Sequence, residues 1–184
     1  MSLTPSNMLP LGTKAPYFKL IDVTTNTTKD LDQLKGYNAT VVMFICNHCP
    51  FVKHINTELA RLGNDYLSKG VSIIAISSND AINYPEDQPL KLVEQAKEFN
   101  FNFPYLYDES QAVAKAYQAA CTPDFYIFDK DLKLKYRGQL DDSRPSNGVP
   151  VTGSDLRKAL EGIISNSKLP DVQKPSIGCN IKWK

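Results

Sequence analysis

Residues 41–49 read Val-Val-Met-Phe-Ile-Cys-Asn-His-Cys, and the fold prediction starts from this stretch. Residues 41–45 are all apolar and mostly β-branched, which predicts a strand buried on both faces of a sheet. Cys46 and Cys49 follow where that strand ends and a helix is predicted to start. Positions three apart on a helix share one face, with Cβ atoms about 5–6 Å apart. A small rotamer change would then bring the two sulfurs into bonding range, so the pattern predicts a pair that makes and breaks one disulfide.

The position of each cysteine predicts its role. Cys46 is expected at the helix N-terminus, where unpaired backbone N–H groups and the positive dipole end stabilise a thiolate. Cys49 is expected one turn deeper and less exposed, so Cys46 is predicted to attack and Cys49 to resolve. His48 would favour the Cys46 thiolate and tune its pKa, which would make the disulfide a better oxidant. The alternative is that His48 faces solvent and has little effect.

Alternating patterns along the rest of the chain predict an α/β fold. Hairpins are predicted at 17–31 and 125–137, further strands at 71–76 and 104–107, and helices at 52–66, 90–99, 111–117 and 153–164. Strands that alternate with helices form a parallel sheet covered on both faces, and the second hairpin adds antiparallel strands. The expectation is a central mixed sheet with helices on both faces and an N-terminal β-hairpin extension. Residues 1–15 are predicted to be an extended lead-in, 104–107 an edge-like strand, and 165–184 an irregular C-terminal tail.

Composition restricts the classes of function. The chain has 184 residues and a net charge of +1, from 21 Lys and Arg against 20 Asp and Glu. This balance favours neither nucleic acid nor a membrane surface as partner, and the length fits a single domain over 1–184. No apolar run approaches the ~20 residues of a membrane span, and residues 1–5 show no signal peptide, so a cytoplasmic location is expected. Four cysteines are too few for a disulfide-stapled secreted scaffold, which favours a catalytic or metal-binding use.

Two other interpretations of the cysteine pair stay open. One is a pair of buried structural cysteines at this spacing by chance. The other is a zinc site, which normally needs four ligands although the chain has a single Cys-x-x-Cys. The residues that could complete such a site are His48, His54, Cys121 and Cys179. The prediction is no metal and no cofactor.

A second group of candidate residues opens the strand predicted at 125–128. Pro123 can stand at the start of a strand because it lacks only an end hydrogen bond. Bonds before proline are the main place for cis peptides, but the sequence leaves the isomer of Thr122-Pro123 open. Cys121 is either a small core residue or a third thiol that faces the first two. Cys179 lies in a polar tail, where the simplest alternative is a bystander thiol, and the sequence leaves its role open.

Five stretches carry a family resemblance and together span most of the chain. They are residues 12–18, 46–53, 84–87, 121–125 and 175–183. The chain resembles the thioredoxin-fold redoxins, in particular the peroxiredoxin-like branch of the alkyl hydroperoxide reductase/thiol-specific antioxidant (AhpC/TSA) superfamily. The resemblance implies a thioredoxin fold whose substrate-binding cis-Pro loop falls at Thr122-Pro123, beside the cysteine pair. It also implies that Cys121 lines the active site.

Two departures from the peroxiredoxin pattern decide which activity we expect. Peroxiredoxins carry a Thr three residues before the peroxidatic Cys, where this chain has Met43, and an Arg near the position of Pro123. Both groups act on peroxide, whereas the Cys-x-x-Cys and the Thr-Pro loop match disulfide-exchanging thioredoxins. We therefore expect a thiol–disulfide oxidoreductase. Its partners would be a disulfide- or dithiol-containing protein or small thiol and an electron donor that the sequence does not identify.

Two alternatives from other functional classes accompany this expectation. The first is a thiol-dependent peroxide reductase in which Cys46 passes through a sulfenic acid. The second is a metal-binding or non-catalytic module on the same fold.

Overall fold

The computed structural model describes residues 3–184, which form ten strands and five α-helices. The strands are β1 (Leu3–Pro5), β2 (Lys19–Asp22), β3 (Thr27–Asp30), β4 (Ala39–Phe44), β5 (Val71–Ser77), β6 (Tyr105–Tyr107), β7 (Cys121–Thr122), β8 (Asp124–Asp129), β9 (Leu134–Gly138) and β10 (Ile177–Asn180). The helices are α1 (Leu31–Leu34), α2 (Pro50–Leu67), α3 (Pro89–Glu98), α4 (Ala112–Ala116) and α5 (Ser154–Ile164). A 3₁₀ turn covers Pro85–Asp87. Residues 1 and 2 of the predicted lead-in lie outside the described residues.

The main sheet has seven strands in the order β3-β2-β6-β5-β4-β8-β9. Strand β4 is buried along its whole length and lies parallel to β5 and antiparallel to β8. In that antiparallel register Phe44, the last residue of β4, pairs with Asp124, the first residue of β8. The segment after Phe44 therefore runs beside the residues that precede Asp124. The register alone brings Cys46 close to the Thr122-Pro123 loop.

Each face of the sheet has its own apolar core. One core packs α2, α3 and α5 on the sheet and includes three of the four cysteines, Cys46, Cys49 and Cys179. The other packs α1, α4 and the segment around Leu9 on the opposite face. The predicted fold class, a mixed sheet with helices on both faces and an N-terminal hairpin, is confirmed.

The predicted irregular tail contains an ordered strand. Strand β10 lies between β1 and β7 in a second, three-stranded antiparallel sheet. Gly178 makes this close approach possible, because a Cβ there would collide with the Thr122 carbonyl group. The prediction that 165–184 is irregular is wrong for Ile177–Asn180.

The short strand β6 is not at an edge, contrary to the prediction. It pairs with β5 on one side and with β2 of the N-terminal hairpin on the other. The hairpin extension therefore covers the edge that β6 would otherwise expose. Within residues 3–184, no helix is long and apolar enough to cross a membrane.

Candidate active site

Helix α2 begins one residue after the second cysteine. Pro50 occupies its first turn and Cys49 is the N-cap, while Cys46 lies in the segment between β4 and α2. Proline suits the first helical position, because its missing N–H has no intrahelical partner there. The prediction that both cysteines lie on one helix face is therefore wrong. The positive end of the helix dipole acts on Cys49 rather than on Cys46.

The structure brings three thiols and one threonine together. The Cys46 Sγ lies 3.5 Å from the Thr122 Oγ1 and 3.9 Å from the His48 Nδ1. The Cys49 Sγ lies 3.2 Å from the Thr122 carbonyl oxygen and 2.8 Å from the Cys179 Sγ. All three cysteines are thiols, and none is more than 1% exposed. We call Cys46, Cys49, Thr122 and Cys179 the thiol cluster.

The thiols of Cys46 and Cys49 ionise as a coupled pair, because a hydrogen bond joins the two sulfurs. The hydrogen bond from Cys46 is the largest influence that lowers the pKa of Cys49 to about 5 against the opposing effect of burial. Further hydrogen bonds from Cys179, Thr122 and the Val52 N–H act in the same direction. Burial, more than the other causes, raises the pKa of Cys46 well above its ordinary value. The lowered pKa therefore belongs to Cys49, whereas the sequence predicts a favoured thiolate on Cys46.

A buried carboxylate that the sequence analysis overlooked holds the segment between the two cysteines. The Asp87 Oδ1 accepts hydrogen bonds from the backbone N–H groups of Asn47 (2.8 Å) and His48 (3.0 Å). Its Oδ2 lies 2.5 Å from the His48 Nδ1 and 2.8 Å from the Asn79 Nδ2. Burial would raise the pKa of Asp87, but the hydrogen bonds from His48 and Asn79 hold it below its ordinary value. The only signal for Asp87 in the sequence was its place at the end of the stretch 84–87.

The His48 side chain is enclosed rather than turned to solvent. It is 16% exposed, and its ring stacks on Tyr84 at 5.2 Å between centroids. The Nδ1 atom lies between the Asp87 carboxylate and the Cys46 sulfur and is closer to the carboxylate. The alternative of a solvent-facing His48 is therefore wrong.

The Thr122-Pro123 peptide bond is cis, as the family resemblance implies. Cys121 precedes it and is buried, but its Sγ donates to the Pro123 carbonyl oxygen at 3.6 Å. In the described part of the chain, the thiol in direct contact with the pair is Cys179. The contact with Cys49 argues against the bystander alternative for Cys179, while the role of Cys121 as a third active-site thiol stays a prediction.

A family model described as the AhpC/TSA family matches residues 11–137, which is more than half of the chain. The chain belongs to the AhpC/TSA family. The resemblance drawn from the sequence motifs is thereby confirmed. A search of curated proteins gave no significant match.

Solved structures similar to this chain cover most or all of its length. An uncharacterized conserved protein from Geobacillus kaustophilus is 60% identical, with a TM-score of 0.98 over 100% of this chain and 97% of its own. A hypothetical protein from Sinorhizobium meliloti 1021 is 46% identical, with a TM-score of 0.95 over 98% of each chain. The thioredoxin domain of a thiol-disulfide oxidoreductase from Bacteroides vulgatus is 19% identical, with a TM-score of 0.66 over 85% of this chain and 99% of its own. The third likeness shows the thioredoxin fold, and family and fold together support a redox function.

Met43 and Arg137 show how this AhpC/TSA chain differs from the peroxiredoxin pattern. Met43 is 1% exposed and belongs to the apolar core, so it offers no polar group to a peroxide. Arg137 is fully buried, and its Nη2 lies 3.1 Å from the Asp124 Oδ2 and 2.9 Å from the Gln118 carbonyl oxygen. This arginine is committed to an ion pair on β8 and β9.

Three side chains in the site each carry an atom that could ligate a metal ion. The Cys46 Sγ, the His48 Nδ1 and an Asp87 carboxylate oxygen lie within 4.8 Å of one another. A structural zinc site takes four ligands, and here the His48 Nδ1 and Asp87 already form a direct hydrogen bond. These three residues could hold a cation only if that bond were given up.

A pocket lies beside the cis proline, next to the thiol cluster. The residues around it include Phe51, His54, Pro123, Ser143, Arg144 and Ile177. Phe51 belongs to the first turn of α2, immediately after the cysteine motif. The pocket therefore adjoins the segment that follows the cysteine motif and the proline of the cis-Pro loop.

Proposed function

We propose that this protein is a thiol–disulfide oxidoreductase in which Cys46 is the nucleophile and Cys49 the resolving thiol. The observation that carries the proposal is the placement of both sulfurs against the Thr122-cis-Pro123 loop, with the Cys46 Sγ 3.5 Å from the Thr122 Oγ1 and the Cys49 Sγ 3.2 Å from the Thr122 carbonyl oxygen. A pair of thiols with one strongly lowered pKa is a common arrangement for exchange with a disulfide.

The reaction takes two displacement steps. The Cys46 thiolate attacks one sulfur of the partner disulfide, and the other partner sulfur leaves with the electron pair of the broken bond and takes up a proton. The Cys49 thiolate then attacks the Cys46 sulfur in the mixed disulfide, which releases the second partner sulfur as a thiol. The partner is reduced by two electrons, and a Cys46–Cys49 disulfide remains. The reverse sequence oxidises a partner dithiol.

A proton shift within the pair places the charge on Cys46 for the first step. When Cys49 holds the proton, its thiol can donate to the Thr122 carbonyl oxygen, 3.2 Å away. The Cys46 thiolate can then accept from the Thr122 hydroxyl at 3.5 Å. Because the two sulfurs share a hydrogen bond, this shift needs no outside base. Thr122 therefore serves both sulfurs, one with its carbonyl and one with its hydroxyl.

We propose that His48 tunes the Cys46 thiol and that Asp87 holds His48 in place. A hydrogen bond from the His48 Nδ1, 3.9 Å from the Cys46 sulfur, would favour its thiolate, against the charge of Asp87, which raises the pKa of Cys46. Asp87 also fixes the backbone of Asn47 and His48, so that the segment between the two cysteines keeps its shape. We assign Asp87 a positioning role.

We propose that the partner binds along the cis-Pro loop. Thr122 and Pro123 would form one wall of its groove, and Phe51 and Ile177 would offer apolar contacts beside it. The partner is a disulfide or dithiol in an extended peptide or a small thiol, and an electron donor completes the cycle. The thiol cluster contains no Lys, Arg, Asp or Glu, so it does not restrict the partner to one sign of charge.

Reduction of insulin disulfides tests the proposal. We expect Cys46→Ser to abolish turnover, because the attacking sulfur is lost. Cys121→Ser is the matched control, since it replaces another buried thiol close by, and it should keep the activity within about twofold. Undiminished turnover in Cys46→Ser would contradict the proposal.

A second candidate function is reduction of peroxide, which membership of the AhpC/TSA family favours. Cys46 would become a sulfenic acid, and Cys49 would displace water from it to form the same disulfide. The places of Met43 in the core and Arg137 in an ion pair argue for disulfide exchange as the main activity. Consumption of hydrogen peroxide and reduction of insulin, measured on one sample, separate the two. A peroxide rate that exceeds the insulin rate would favour the peroxidase.

A further inference from the structure

Cys179 is held against the cysteine pair by the fold itself. In the antiparallel register of β10 and β7, Cys179 pairs with Thr122, the residue whose carbonyl and hydroxyl serve the two active-site sulfurs. Gly178 allows the close approach to Thr122, and the segment before β10 is tied down by the hydrogen bond from the Ser6 N–H to the Ser176 carbonyl (2.9 Å). The Cys179 sulfur is therefore positioned by backbone pairing on both sides of its strand.

The Cys49 sulfur stands between two other sulfurs. It shares a hydrogen bond with Cys46, and its Sγ lies 2.8 Å from the Cys179 Sγ. A disulfide needs about 2.05 Å between sulfurs, so a small rotation of either side chain would bring Cys49 and Cys179 to bonding distance. A thiol that contacts the middle sulfur in this way can attack it when it is part of a disulfide.

We propose that Cys179 is a third redox-active thiol, which converts the Cys46–Cys49 disulfide into a Cys49–Cys179 disulfide and frees Cys46. This inference rests on the proposed function for the formation of the first disulfide. The second disulfide holds the same two oxidising equivalents, now between the N-cap of α2 and strand β10. Cys46 is then a thiol again while the protein remains oxidised.

The exchange is balanced without any co-reactant. The Cys179 thiolate attacks the Cys49 sulfur, and a bond between these two sulfurs forms as the Cys46–Cys49 bond breaks. The electron pair of the broken bond stays on Cys46, which takes up the proton that Cys179 has lost. One disulfide is present before and after the step. Since the Cys179 Sγ lies 2.8 Å from the Cys49 Sγ, the buried position of Cys179 does not hinder the reaction.

Oxidation of the pair removes part of what keeps Cys179 protonated. In the reduced protein, burial together with the hydrogen bond and the charge of Cys49 raises the pKa of Cys179 to about 12. When Cys49 enters a disulfide it no longer carries a thiolate, so both of its contributions disappear. The charge of Lys182 continues to favour the Cys179 thiolate. Cys179 therefore becomes a better nucleophile after the first disulfide has formed.

Disulfide mapping in a variant without Cys46 tests this inference. Cys46→Ser retains Cys49, Cys121 and Cys179 as thiols. After treatment with diamide, we expect two of these three thiols to be lost and peptide mapping to find Cys49 linked to Cys179. The double variant with Cys179→Ser should keep its thiols, whereas the double variant with Cys121→Ser should still form the disulfide. Retention of all three thiols in Cys46→Ser, or a disulfide that involves Cys121, would overturn the inference.

A second measurement uses the unmodified protein and does not depend on how the variants fold. Oxidised wild-type protein is quenched with acid, alkylated and mapped. We expect both the Cys46–Cys49 and the Cys49–Cys179 disulfides, with Cys46 alkylated in the second form; finding only the first would overturn the inference. Failure of the proposed function has a different signature, since wild-type protein would not reduce insulin even if diamide linked Cys49 to Cys179.

Discussion

Cys179 and Cys121 lie on neighbouring strands, yet they belong to two different polar regions. Cys179 is part of the thiol cluster, where hydrogen bonds join sulfurs and Thr122. Cys121 lies near the buried ion pair of Asp124 and Arg137, and burial together with the charge of Asp124 raises the pKa of its thiol. Side chains alternate along a strand, so Cys121 and Thr122 point to opposite sides of β7. Proximity in the sequence to the cis proline does not decide which thiol reaches the site.

The two regions also differ in how their polar groups can change. The thiol cluster holds protons that can move between sulfurs, whereas the region around Arg137 holds a fixed pair of opposite charges. We call Asp124, Tyr126 and Arg137 the ion-pair cluster; the Arg137 guanidinium lies 4.6 Å from the centre of the Tyr126 ring. Burial raises the pKa of the Asp124 carboxyl even though Arg137 opposes this effect. We propose that the thiol cluster carries out the redox chemistry and that the ion-pair cluster stabilises the fold.

The largest effect should come from breaking the ion-pair cluster. Arg137→Met leaves Asp124 buried without its cation, and such a change typically costs about 3–5 kcal/mol of unfolding free energy. Urea unfolding measures this cost. The thiol chemistry of the protein that remains folded should be unchanged, because Arg137 makes no hydrogen bond to the thiol cluster. A loss of less than about 1 kcal/mol would show that the ion pair does not stabilise the fold.

A smaller effect is expected at Asp87, which holds the segment between Cys46 and Cys49. In Asp87→Asn an amide N–H₂ replaces one carboxylate oxygen and faces the Asn79 donor, so unfolding should become easier by about 1–3 kcal/mol. Insulin reduction should also fall, because the segment between the cysteines loses its support. Glu86→Gln is the matched control, since this neighbour is exposed and should leave both properties unchanged.

The difference in unfolding free energy between wild type and Asp87→Asn should depend on pH, because the pKa of Asp87 is lowered in the folded protein. A carboxyl whose folded pKa is depressed adds stability above its unfolded pKa of about 3.9. This stability is lost as the pH falls through the folded pKa. The gap between wild type and Asp87→Asn should therefore be constant above about pH 5 and close below about pH 4. A gap that stays constant down to pH 2 would contradict the assignment of a charged Asp87.

The smallest effect is a shift in the pKa of Cys49, which distinguishes Cys179 from Cys121. Thiolate absorbance of the reduced protein should rise with a midpoint near pH 5, the lowered pKa of Cys49. Cys179→Ala removes one hydrogen bond to that sulfur and should move the midpoint upward by about 1 pH unit. Cys121→Ala should leave the midpoint in place. Equal shifts in both variants would mean that the two thiols are not distinguished as the structure indicates.

Much of the fold could be predicted because its signals are local. The unbroken apolar run before Cys46 predicts a central buried strand, and the polar break between residues 23 and 27 predicts the N-terminal hairpin. The site was predicted as far as local motifs reach, which covers Cys46, Cys49, His48 and the Thr122-Pro123 loop.

The missed parts depend on contacts between distant segments. Strand β10, Ile-Gly-Cys-Asn, has little strand propensity and forms because β1 and β7 pair with it. Asp87 follows a proline and a glutamate in what reads as a surface loop, and only its contacts with residues 47 and 48 bury it. The start of α2 was misplaced by a short distance, and this was enough to move the helix dipole from Cys46 to Cys49.

Titration of the protein in glutathione buffers, followed by alkylation and peptide mapping at each potential, tests the central claim most directly. We predict one two-electron transition in which every disulfide formed contains Cys49, joined to Cys46 or to Cys179. Cys121 should remain a free thiol throughout. Four free thiols across the whole titration, or a disulfide that lacks Cys49, would contradict it.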